Sequence, residues 1–104
     1  MAKNHVGTGQ TVNFTAPVAG AFSGVPLVLN DMVVVPTSTG VNGAKMVGIT
    51  DGEWRLPAEG ALLQGQKVNV LAGVLVAPAV ADSVPFGKLT SDVSGGFATA
   101  LLIQ

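Results

Sequence analysis

Cysteine and tyrosine are absent from this 104-residue sequence, which holds one tryptophan and one histidine. Without cysteine there is no disulfide and no thiolate metal site. The single histidine, His5, lies on a Gly-containing segment with no carboxylate or serine close by in sequence. A general base needs an orienting partner and a nucleophile within reach. His5 therefore reads as an exposed or partner-contacting residue, and the chain as a non-enzyme. Charge is scarce too: 11 % of residues are charged, against roughly 25 % in an average soluble domain. Five basic residues are scattered among six acidic ones for a net charge of −1. Nucleic-acid binding needs clustered Lys and Arg to displace counterions, and a membrane-surface helix needs a basic face, so both classes are excluded. The longest run free of charged or strongly polar side chains, Leu71 to Ala81, is broken by Gly73 and Pro78. It falls well short of the roughly 20 residues of a spanning helix. No apolar stretch follows Lys3, so no secretory signal is expected. Gly60 to Lys67 is glycine-containing and ends in lysine, but Gln66 separates Gly65 from Lys67 and Val68 replaces the Ser or Thr that would hold magnesium. Asp31, Asp51, Asp82 and Asp92 stand singly at turns without calcium-loop spacing. The expectation is no cofactor and no metal.

Glycine and small apolar residues are abundant. Fourteen glycines and 48 % hydrophobic content, largely Val and Ala, rule out disorder over most of the length. A chain of this size can bury roughly two thirds of its unfolded surface, enough for one modest core. Period-2 alternation is clear in Thr11 to Thr15, and apolar or alternating runs recur at Val25 to Leu29, Met32 to Pro36, Lys45 to Thr50, Glu53 to Leu56, Lys67 to Leu71, Val74 to Ala77, Val84 to Leu89 and Phe97 to Ile103. Turn signals separate them about every ten residues, the signature of an all-β domain. The expected fold is a small antiparallel β-sandwich or barrel built from hairpins. Residues 1–10 form an extended N-terminal arm, residues 11–104 a single β domain, and at most one short helix lies near 58–64.

Two hairpins carry the most information. Asp51-Gly52 is a strong two-residue turn signal, and pairing across it sets Ile49 opposite Trp54 and Val47 opposite Leu56 on one face. With the apolar positions of the other strands this predicts a core of Val12, Phe14, Val47, Ile49, Trp54, Leu56, Val68 and Val70. Across Asn30-Asp31 the pairing sets Val28 opposite Val33, with Leu29 and Met32, and Leu27 and Val34, on the other side. Both faces of that hairpin are apolar, although one face of a two-layer domain should meet water. Leu27, Leu29, Met32 and Val34 are therefore expected at a subunit or partner interface; the alternative is a covering loop of the same chain. On the arm, Lys3, Asn4, His5 and Thr8 offer hydrogen bonds to a neighbour, and Val6 offers an apolar anchor.

Taken in order, Ala2-Lys3-Asn4, Thr11-Val12-Asn13-Phe14-Thr15-Ala16-Pro17, Ser23-Gly24-Val25-Pro26-Leu27-Val28, Gly52-Glu53-Trp54-Arg55-Leu56-Pro57 and Gln64-Gly65-Gln66-Lys67-Val68 make a set that resembles the small capsid cement, or head-decoration, proteins of tailed bacteriophages. The resemblance runs over nearly the whole chain. It implies a non-enzymatic β protein on the outer surface of the virion, bound to the major capsid protein and bridging capsomers. It also implies self-association, as a homotrimer in preference to a dimer, with the arm residues Lys3, Asn4, His5, Val6 and Thr8 as capsid contacts. An alternative from another class is a small ligand- or peptide-binding β-barrel module lined around Trp54.

Overall fold

The computed structural model describes residues 9–104. Among them nine strands, β1 (Thr11–Thr15), β2 (Leu27–Leu29), β3 (Met32–Pro36), β4 (Lys45–Ile49), β5 (Glu53–Pro57), β6 (Lys67–Leu71), β7 (Val74–Val76), β8 (Val84–Leu89) and β9 (Phe97–Leu102), build two antiparallel sheets. The first has the order β1-β4-β3-β2 and the second β5-β9-β8-β6-β7. The fold is the expected small all-β, sandwich-like arrangement. Residues 58–64 run as bends and turns. Their backbone groups go to other partners instead of a helix: the Glu59 amide donates to the Leu75 carbonyl and the Gln64 amide to Asp92 Oδ1, both distant in sequence, and the Leu63 amide donates to the nearby Gln66 side chain.

The second sheet curls on itself. Its edge strands β5 and β7 approach until Ala58 bridges Leu75 in parallel. The enclosed core is made by Leu56, Val68, Val70, Leu75, Phe86, Leu89, Ala98, Ala100 and Leu102, joined by Val33 and Val35 of the first sheet. Phe86 is its largest fully buried side chain. It owes that place to a bulge: Val68 pairs with Gly87 and Asn69 with Pro85, so Phe86 is the extra residue between the two rungs. Gly87, next to it, admits no side chain, since a Cβ there would stand 1.9 Å from the Leu101 carbonyl oxygen.

The Asn30-Asp31 hairpin forms in the expected register, with Leu27 opposite Val34, Val28 opposite Val33 and Leu29 opposite Met32. Asn30 adopts the left-handed backbone, φ 59°, that its short polar side chain tolerates. The Asp51-Gly52 hairpin does not form. Ile49 pairs with Thr11 on one side and Val35 on the other, so β4 has no free edge for β5. Trp54 instead pairs with Ala100 and Leu56 with Ala98. Asp51-Gly52 is the crossing from one sheet to the other, and the Leu102 amide closes on the Gly52 carbonyl at 2.8 Å.

The expected core changes with that crossing. Leu56, Val68 and Val70 are buried, while Trp54, Ile49, Val12 and Phe14 are half-buried. Val47 is exposed, because the buried face of β4 is the one bearing Met46 and Gly48. Gly48 leaves room for the Phe14 ring and Val34, which lie 3.1 and 2.8 Å from where its Cβ would be. The loop from Ala16 to Pro26 then folds over this side of the first sheet. Ala16, Ala21 and Met46 form a second, smaller cluster there, with Phe14, Leu27 and Ala44 packed against it.

One side chain stitches the sheets together. The Gln104 amide accepts from the Val33 N–H at 3.2 Å and donates to the Val33 carbonyl at 2.7 Å and the Thr50 carbonyl at 2.9 Å. It acts as an extra rung on β3 where β4 has already ended.

Candidate interaction surfaces

Two neighbouring loops make an apolar tip at the margin of the first sheet. The Ala21 and Gly40 amides each donate to the other's carbonyl at 2.9 Å, which ties residues 17–22 to residues 39–42. Further backbone bonds fix the base: Ala16 to the Ala44 carbonyl at 2.8 Å and Gly43 to the Ala16 carbonyl at 3.0 Å. On this support Val18 is 84 % exposed, Val41 78 % and Phe22 56 %, around a groove of about 200 Å³. Residues 16–29 and 33–44 contain no charged side chain. Three exposed apolar side chains grouped on one hydrogen-bonded frame make this tip a candidate interaction surface.

A second surface lies on the outer face of the curled sheet. Lys67 and Lys88 stand directly opposite each other across β6 and β8. They rim a groove of about 480 Å³ whose lining includes Pro78, Pro85, Ile103 and Gln104. The nearly buried Asn69 holds one wall: its Nδ2 donates to Ser83 Oγ at 3.0 Å and to the Pro78 carbonyl at 3.4 Å. On the far side of that sheet face the Arg55 guanidinium sits 4.4 Å over the Phe97 ring, and Thr90 Oγ1 donates to Glu53 Oε2 at 2.6 Å.

No family model, curated protein or solved structure matches the chain.

The residues expected to bind separate into three groups. Lys3, Asn4, His5, Val6 and Thr8 lie outside the described residues. Where the described chain begins, Gly9 and Gln10 are tied to Thr50, whose hydroxyl donates to the Gly9 carbonyl and whose amide donates to the Gln10 carbonyl. Of the hairpin set, Leu27, Leu29 and Met32 are half-buried, but Val34 is fully buried. The expectation of Val34 at an interface is corrected: the Ala16–Pro26 loop and Gly48 cover that side of β3 from within the chain. Trp54 packs on its own turn, with Nε1 donating to the Asp51 carbonyl at 3.0 Å, and the space enclosed by the second sheet is filled by side chains. Sequence reasoning missed Val18, Phe22 and Val41; the signal was the lack of any charge across two glycine-containing loops. Among the described residues no group of three or more His, Cys, Asp or Glu is placed to hold a metal ion. Among the described residues no helix is long and apolar enough to cross a membrane.

Proposed function

We propose that the protein is a bacteriophage capsid decoration, or cement, protein. It binds the major capsid protein on the outer surface of the head, ties neighbouring capsomers together and carries out no catalysis. The observation that carries this reading is the rigid apolar tip of Val18, Phe22 and Val41, exposed on a frame of backbone hydrogen bonds. The order of sequence motifs, which resembles that of head-decoration proteins, is consistent with this reading. The protein self-associates, as a homotrimer in preference to a dimer, since symmetric closure multiplies the number of tips offered to the shell.

The test is cryo-electron microscopy of undecorated heads of the phage that encodes the protein, with purified protein added back. Ordered density on the shell is expected for the wild type. Val18→Asp together with Val41→Asp is expected to abolish it while leaving the circular dichroism spectrum unchanged, because both side chains already face water. Heads that stay bare with the wild-type protein overturn the reading.

A further inference from the structure

The Lys67–Lys88 groove asks for an occupant. Like charges directly opposite on adjacent strands repel, and among the described residues no acidic side chain lines the groove to offset them. Beside them lie Pro78, Pro85 and Ile103, the last 50 % exposed. Such a surface fits a projecting carboxylate with apolar shoulders.

The chain itself carries that shape once. Among its six acidic residues, Asp31 alone sits at the tip of a hairpin whose first cross-strand pair, Leu29 and Met32, is two hydrophobic side chains. Asp31 is exposed, and both shoulders are only half-buried. We infer that the Asn30-Asp31 hairpin tip of one copy docks into the Lys67–Lys88 groove of a second copy. The Asp31 carboxylate lies between the two ammonium groups, and Leu29 and Met32 cover Pro78, Pro85 and Ile103. The inference rests on the self-association proposed above and names the surface that performs it. Gln104 borders both halves of the contact, lining the groove while its amide pairs with Val33 beside the hairpin tip. Contact between two different patches closes as a ring, or as a two-fold pair when made in both directions.

Sedimentation of the free protein at micromolar concentration tests this without any phage head. The wild type is expected to run as an oligomer that weakens as salt is raised. Lys67→Glu with Lys88→Glu, and separately Asp31→Lys, are each expected to raise the dissociation constant at least about tenfold through desolvated like-charge contact. The three changes together restore association by exchanging the charges. Unaltered circular dichroism checks that these exposed substitutions leave the fold intact. An oligomer whose affinity is unmoved by the lysine reversals, or that is not restored in the triple variant, overturns this docking alone. A monomeric wild type overturns self-association altogether. If such a monomer also loses head binding on lysine reversal, the groove belongs to the coat protein.

Discussion

Phe86 and Trp54 show how differently two aromatic residues of one sheet are used. The bulge turns Phe86 wholly inward, whereas Trp54 is half-buried, packing against the rim of the same core while its indole N–H donates to the Asp51 carbonyl. Phe86→Ala is therefore expected to destabilise the protein by about 3–5 kcal/mol, the range for a large aromatic removed from a packed core. Trp54→Ala is expected to cost clearly less, since fewer of its atoms leave water on folding. Urea unfolding of both variants checks the order, and equal losses would mean that the indole is a core group after all. Neither role is visible from side-chain type. Trp54 carries the stronger hydrophobic signal in the sequence, while Pro85 and Gly87 on either side of Phe86 break the alternation of the Val84–Leu89 strand and hide which face it buries.

The strands themselves were legible as elements, and their partners were not. Thr11–Thr15, Met32–Pro36, Lys67–Leu71 and Val84–Leu89 begin and end where alternation and turn residues put them. The β2–β3 register follows from its two-residue turn, because a short loop leaves the strands no other way to meet. Asp51-Gly52 has equally good turn chemistry, yet β4 is already paired on both edges, a fact that depends on β1 and β3 and so lies outside any local window. Gly48 misleads in the same way: a buried glycine breaks the apolar stripe and makes Val47 and Ile49 look like the inner face. The loop that seals β3 was unreadable because small residues, not large ones, do the sealing. Ala21 is 1 % exposed in that cover. Ala21→Asp would strand a carboxylate against Met46 and Ala16, at a cost on the order of 2–4 kcal/mol. Thermal unfolding that is unshifted in this variant would show the loop to be loosely attached. The tip of Val18, Phe22 and Val41 should also loosen, because it hangs on the Ala21–Gly40 bridge.

Across the whole molecule the two candidate surfaces differ in physical character, and ionic strength separates them. The proposed head attachment through an uncharged tip, in a chain of net charge −1, is expected to change little between about 50 mM and about 500 mM salt. Self-association through Lys67, Lys88 and Asp31 should weaken over the same range. Head binding that disappears as salt rises would mean that the charged groove, not the tip, meets the shell. The tip belongs to the first sheet and the groove to the second, so in the proposed role a load between shell and neighbouring copy crosses from sheet to sheet. Among the described residues the ties that span that gap include the covalent Asp51-Gly52 turn, the Leu102–Gly52 bond, the packing of Val33 and Val35, the approach of Val25 to Gly73, and the three hydrogen bonds of the Gln104 amide. Without the amide, the two plates would keep their internal ladders and gain freedom to flex about residues 50–52. In the proposed decoration role this brace, one side chain wide, adds stiffness against the outward pressure of packaged DNA, and a variant lacking it is expected to bind a head normally and hold it shut less well.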